Sequence, residues 1–475
     1  MRKSRLIRRY LPLVVGVALV MPLMVPGPAP AVSSVVWSGT IGGTPFGTFW
    51  EEWNWVDGEP TSDPVITGGA TDYLEAQFAS DFVPGSSLSY KCPTPAGKFK
   101  MGTYSERMAI DSATGVPSGT WTDGSDDVTG GAFRTNPLNM IAERTGLAAD
   151  GADSWILYAS QVCYYSNKAG SGKRVLYVRH NDNYLDPVAT YDPAVRLTSA
   201  KGRVDYPYID AEDGLVVVAW TDANKCNVFV STSTNGGATF TKHKVGTTTN
   251  HYFGYGDEGC SAQPAVGTDG DLVGVALQTT KKGKAVARMS TNKGVTWGPN
   301  FTLAPSGTNK NASLLGAGAA EGRIGFSWTT PTGLFYVEAS PAFGTKMKIA
   351  TTPDAMVPKH WAYEGPAVAL FGAGQVGVAF GACRNKTTST SCPQGNKISQ
   401  EDLLYVESAD NGATWPEPPT LVALAGLKRS ATANNNWPSL DFYDADTRFL
   451  LWTAWDPYYT TGYFVLASTG EGAGP

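Results

Sequence analysis

Short apolar stretches recur along the chain, each opened by a small polar turn. The stretches fall at residues 154–159, 215–220, 272–277, 324–328, 376–380 and 449–455. The turns before them are Ala149-Asp-Gly-Ala, Ala211-Glu-Asp-Gly, Thr268-Asp-Gly-Asp, Ala320-Glu-Gly, Gly372-Ala-Gly and Asp444-Ala-Asp. Apolar runs this short, bounded by Gly and Asp, predict buried strands rather than helices. Ahead of most turns lies another strand opened by proline, at Pro137, Pro207, Pro264, Pro366 and Pro438. Proline is tolerated at the first residue of a strand, where no ladder donor is needed. A further unit without proline begins near Ala312.

A third landmark closes three of these units. Ser233-Thr-Asn235-Gly-Gly237-Ala-Thr239-Phe240, Ser290-Thr-Asn292-Lys-Gly294-Val-Thr296-Trp297 and Ser408-Ala-Asp410-Asn-Gly412-Ala-Thr414-Trp415 share the pattern S-x-[D/N]-x-G-x-T-[W/F]. This is hairpin-turn chemistry: the Asx side chain caps its own backbone, Gly takes positive φ, and the aromatic packs into the sheet. Pro207 to Asn235 and Pro264 to Asn292 are both 28 residues. Pro366 to Asp410 is 44, the excess being a loop insertion at 383–399. Four short antiparallel strands repeated six times predict an all-β chain, a six-bladed β-propeller spanning 132–470. Residues 32–131 lie outside the six units. They are rich in Gly, Thr, Asp and Trp, and read as a small β-domain, a partial blade that closes the ring, or a collar over one face.

Composition narrows the class. Of 475 residues only 17% are charged while 11% are aromatic, which excludes a disordered or coiled-coil chain. The first residues look like a secretory signal peptide. Arg2, Lys3, Arg5, Arg8 and Arg9 precede an apolar run from Leu11 to Val25, and Ala29-Pro30-Ala31 offers a cleavage site after Ala31. Removing that leader takes the net charge from −5 to −10, with 32 Lys and Arg against 42 Asp and Glu. So acidic a product is a poor partner for nucleic acid or an anionic membrane surface. The expectation is a secreted or cell-surface monomer with no membrane span after cleavage. Export makes the six cysteines disulfide formers, and no C-x-x-C is present.

The three turns resemble the Asp boxes, or bacterial neuraminidase repeats, of the sialidase-like propellers. That resemblance covers roughly residues 132–470, and implies a structural role for Asn235, Gly237, Phe240, Asn292, Gly294, Trp297, Asp410, Gly412 and Trp415. In the family such turns lie on the face away from the active site, so chemistry is expected on the opposite, upper face. There the loops opening each first strand meet those joining strands two and three. This placement pairs Cys226 with Cys260, Cys383 with Cys392, and leaves Cys92 with Cys163. A sialidase needs clustered Arg for the sugar carboxylate, a Tyr nucleophile activated by Glu, and an Asp as acid/base. Phe133-Arg134-Thr-Asn-Pro137 resembles the family's F-R-I-P motif, with one inserted residue and Thr for Ile, and assigns Arg134 to carboxylate binding. Arg384 and Arg429 supply further guanidinium groups, and Trp361 and Trp437 aromatic surface. Glu258 or Glu364, with Tyr206 or Tyr363, form the Tyr/Glu pair. The family's Asp is missing from the loop 163–172, so Asp205 or Asp222 stands in for it.

Three functions share this scaffold: a sialidase-like hydrolase of extracellular glycans, a polysaccharide lyase, and a non-catalytic binder of glycan or surface protein. The lyase reading uses His251 and Tyr252, or His360 with Tyr363. No cofactor and no catalytic metal are expected. Acidic runs at 123–127 and 182–186 are the places for a structural calcium ion, although neither matches an ordered calcium loop.

Overall fold

The computed structural model describes residues 32–40, 61–65, 71–80, 91–92, 98–99, 102–113, 115, 122–125, 140–162, 174–181, 191–199, 204–222, 224–248, 251–254, 257–260, 264–280, 284–305, 315–330, 333–350, 356–358, 365–384, 400–416, 420–423, 434–455 and 461–470. The predicted leader lies outside them. Among these residues every regular element is a strand.

Apart from two two-stranded hairpins, the strands group mainly into antiparallel sheets of four, all but the last a simple meander. Sheet 1 holds Thr61–Val65, Thr71–Ser80, Gly102–Asp111 and Thr122–Ser125. Sheet 2 holds Met140–Asp150, Asp153–Val162, Arg174–Asn181 and Val195–Arg196. Sheet 3 is Val204–Glu212, Leu215–Asp222, Asn227–Ser233 and Thr241–Thr247, and sheet 4 is Ala265–Asp269, Leu272–Gln278, Ala285–Ser290 and Phe301–Ala304. Sheet 5 is Leu315–Ala320, Arg323–Thr330, Gly333–Ala339 and Met347–Ala350. Sheet 6 comprises Ala367–Phe371, Gln375–Arg384, Gln400–Ser408 and Thr420–Ala423. Sheet 7 comprises Asn434–Phe442, Thr447–Trp455 and Thr461–Gly470, with Val32–Thr40 as its outermost strand. One parallel bridge, Glu401 to Asn434, joins sheets 6 and 7.

The expectation of six units thus undercounts the sheets by one. Four strands between residues 61 and 125 form a sheet like the rest, and residues 32–40 complete the last one. The first strands touch in closed succession from sheet 1 through sheet 7, and sheet 7 touches sheet 1 again. The arrangement is propeller-like.

The core lies between consecutive sheets. Ala148, Trp155, Leu157 and Leu176 of sheet 2 pack on Ile209, Val216, Val218 and Trp220 of sheet 3. Leu215, Val217 and Val230 of sheet 3 then meet Val266, Val273 and Val275 of sheet 4. A second strand sandwiched between two neighbours is apolar on both faces, which explains the unbroken apolar run Leu215–Trp220 within Leu215–Asp222. Nearest the centre the strands come very close: a Cβ on Gly316 would stand 1.9 Å from the Pro366 carbonyl oxygen. The Gly- and Ala-rich first strand of sheet 5, which lacks the proline, is therefore a packing requirement.

The three repeated turns are built alike. The Gly237, Gly294 and Gly412 amides donate to the Ser233, Ser290 and Ser408 hydroxyls, each at 2.9 Å. The Thr239, Thr296 and Thr414 amides donate to Asn235, Asn292 and Asp410 at 3.0, 2.9 and 2.8 Å. Burial works to raise the Asp410 carboxyl, but hydrogen bonds from Thr414, Ser408 and Ala413 outweigh it and hold it below the ordinary range. With the first-to-second turns, these turns define one face of the ring, here the turn face. The opposite face is the upper face.

Candidate functional site

The upper end of sheet 3 gathers several of the sequence candidates. Asp205 pairs with Thr221 and Val204 with Asp222, and the register then breaks between Asp205 and Tyr208. Such a bulge, at Tyr206-Pro207, bends the strand and re-aims its residues. Sheet 7 repeats the device between Asn436 and Ser439, at Trp437-Pro438. The proline motif read from sequence therefore marks bulged upper strand ends at two places.

Beyond Asp222 the chain turns tightly. The Asp222 carboxylate accepts from the amides of Asn224 at 3.1 Å and Lys225 at 3.3 Å. Cys226 follows at positive φ (57°) and is disulfide-bonded to Cys260, as expected from its place on the rim. Cys260 ends a two-stranded hairpin, His251–Gly254 paired with Asp257–Cys260, in which Glu258 stands opposite Phe253 and His251 opposite Cys260. The disulfide thus ties the hairpin carrying Glu258 and His251 to the end of sheet 3 that carries Asp205.

Arg384 ends the second strand of sheet 6, pairing with Met356 on one side and Gln400 on the other. For Asp205, Glu258, Arg384 and Trp437 the backbone alone is described. Arg134, Arg429, Trp361, Tyr363, Glu364 and His360 lie outside the described residues, as do Cys163 and Cys392, partners of Cys92 and Cys383 in the expected pairs. The 182–186 run lies outside as well. Among the described residues no cluster of His, Cys, Asp and Glu is arranged to hold a metal ion.

Tyrosine, glutamate and arginine do meet, but elsewhere. The Tyr405 hydroxyl donates to Glu407 at 2.6 Å, and Arg448 grips the same carboxylate through two nitrogens. Tyr336 donates to Glu338 at 3.2 Å, and Arg323 lies 3.1 Å from it. Both sets lie toward the turn face. Arg448 and Glu407 are only 3% and 2% exposed, which leaves no room for a substrate. Burial, then the neighbouring glutamate, pushes both phenols well above their ordinary range, the opposite of what a tyrosine nucleophile requires. These groups are clasps between sheets: Arg323 also reaches the Gly372 carbonyl and Asn411 of sheet 6. Sequence reasoning missed them, although Tyr-x-Glu in two third strands was a visible signal.

Carboxylates near the centre of the turn face continue the pattern. Asp150 accepts from the Gly214 amide at 2.7 Å, Asp210 from Thr268 at 2.7 Å and Asp269 from Gly322 at 2.5 Å. Each therefore caps the next sheet in order. Crowding has an electrostatic cost. Desolvation, with Asp441 and Asp269 nearby, pushes Asp210 up to about 7. Desolvation, with Asp210, Asp150, Asp269 and Asp213, pushes Glu212 up to about 8.

No family model and no curated protein matches the chain. Solved structures do. It is similar to a Trypanosoma rangeli sialidase at 10% identity, covering 86% of this chain and 54% of that one, with a TM-score of 0.40. It is similar to the Aleuria aurantia lectin at 11% identity, covering 78% and 96%, with a TM-score of 0.40. It is similar to the phage phi92 endosialidase at 8% identity, covering 91% and 68%, with a TM-score of 0.44. The chain spans about half the length of the trypanosomal sialidase that it matches.

Proposed function

We propose that the chain is an exported, seven-bladed propeller that binds extracellular glycans on its upper face. The observation that carries this reading is the stapled hairpin beside a bulged strand end. A disulfide holds the backbone of Glu258 and His251 near that of Asp205 on the face opposite the structural turns. Polar residues on loops fixed to a rigid scaffold are what a binding face requires, because little ordering entropy remains to be lost on association. In this reading residues 61–125 form a blade, and residues 32–40 close the ring.

Hydrolysis is the second reading, favoured by the Phe133-Arg134-Thr-Asn-Pro137 motif. In it Arg134, Arg384 and Arg429 hold the sugar carboxylate, Asp205 serves as acid/base, and Tyr363 with Glu364 or Glu258 supplies the nucleophile. The two readings separate in one experiment on the purified protein, using immobilised sialylated glycans and a soluble fluorogenic sialoside. Retention on the glycans, lost in Arg134→Ala without a change in melting temperature, supports the binding reading. Release of fluorophore, also lost in that variant, supports hydrolysis. Neither retention nor release across sialylated and uronate glycans would sink both.

A further inference from the structure

The outermost strand of sheet 7 is Val32–Thr40, which begins one residue after the expected cleavage site. Its direction is fixed by its partner. Val32 pairs with Gly470 and Thr40 with Phe464. Gly470 is the last residue of the third strand, and its neighbour Thr469 pairs with Thr447, which opens the second strand just after the Asp444–Asp446 turn. That end of sheet 7 belongs to the turn face: Gly115, in the third-to-fourth turn of sheet 1, packs against Thr447 and Asp444, and Tyr443 donates to Asp72 at 2.6 Å. Whatever precedes Val32 therefore leaves the ring from the turn face.

We infer that while the leader is attached, a lipid bilayer faces the turn face and the upper face points away from it. Six residues, or seven Cα–Cα steps, separate Val25, the end of the apolar run, from Val32, so the closing strand stands within about 25 Å of the hydrocarbon even if that link is fully extended. A ring tethered this closely at one rim cannot turn its upper face to the same membrane without breaking the sheet 7 pairing. Among the described residues the turns of this face are mainly acidic, with Asp150, Asp213, Asp271, Glu321, Asp444 and Asp446 against Lys293, paired with Asp271 at 3.5 Å, and Lys346, which donates to the Thr302 carbonyl, so the face adheres poorly to an anionic surface. The leader alone holds this orientation, and its removal releases the protein.

The inference rests on reading residues 1–31 as a membrane-inserting leader, and its test separates that premise from the orientation. Ala29→Phe with Ala31→Phe blocks cleavage by filling the small-residue site. The full chain is then incorporated into phosphatidylcholine vesicles carrying a lipid-borne nitroxide quencher. A dye sits either on Ala445→Cys, exposed in the sheet 7 turn, or on Pro305→Cys, exposed at the upper end of sheet 4. Flotation with the vesicles, loss of emission at position 445 and retained emission at position 305 are expected. Failure to float overturns the leader premise and the inference with it. Flotation with equal quenching, or with stronger quenching at 305, overturns the orientation alone.

Discussion

The two faces of the ring solve opposite problems. On the turn face, carboxylates, arginines and tyrosines are spent on joining sheets. Asp150, Asp210 and Asp269 each cap the next sheet, Arg323 crosses from sheet 5 to sheet 6, and Arg448 of sheet 7 grips Glu407 of sheet 6. On the upper face the strands are bulged at Asp205 and Trp437, and a hairpin is added and held by one covalent bond. Chemistry-bearing residue types therefore mislead unless their face is known. Among the described residues the Tyr–Glu–Arg sets lie where they can only hold the molecule together.

This contrast makes turn-face changes costly to stability, and the largest effect is expected at Glu407. Glu407→Ala leaves the Arg448 guanidinium buried without its partner and is expected to destabilise by about 3–5 kcal/mol, read from the shift in urea midpoint. A change within experimental error would mean that the clasp is ornamental. Next comes the upper face. Cys226→Ser with Cys260→Ser opens a loop with a sequence separation of 34 residues and is expected to cost about 3 kcal/mol. Here glycan retention is expected to fall together with protease resistance of the hairpin, whereas any Glu407 variant that still folds retains binding. The same loss of binding in both variants would erase the distinction between faces.

The smallest effect is electrostatic. Folded Asp210 and Glu212 hold protons up to about 7 and about 8, whereas their unperturbed values are 3.8 and 4.5. Between those limits the folded chain binds more protons than the unfolded one, so their contribution to stability is present in acid and is lost as pH rises through 7 and 8. Asp210→Asn keeps an acceptor for the Thr268 amide and removes the charge. It is expected to gain about 1–2 kcal/mol at pH 8 over the wild type, with the gain vanishing near pH 4. A constant difference across that range would assign the effect to packing.

The repeat was legible because its turns are strictly local. Ser, Asx, Gly and Thr bond to one another within seven residues, so the three-dimensional turn is written in a short string. Sheet 1 escaped because its third-to-fourth connection departs from the repeated string: Asp111 caps Ala113 at 2.8 Å and Gly115 takes positive φ, but in the sequence the next Thr-Trp pair stands five residues after that Gly rather than two. The closing strand escaped for another reason. Its partner is more than 400 residues away, and no local pattern encodes such a pairing. The Cys226–Cys260 bond followed from strand order alone. The clasps did not: Tyr-x-Glu was visible, but nothing local marks that Arg448 meets Glu407 of the neighbouring sheet or that Arg323 reaches Gly372 and Asn411 there.

Amide hydrogen exchange, with and without a bound sialylated glycan, tests the division of labour most directly. Added protection is expected across residues 251–260 and the strand ends near Asp205 and Trp437, with the turns at 233–240, 290–297 and 408–415 unchanged. Protection centred on those three turns, with none at the hairpin, would contradict the account.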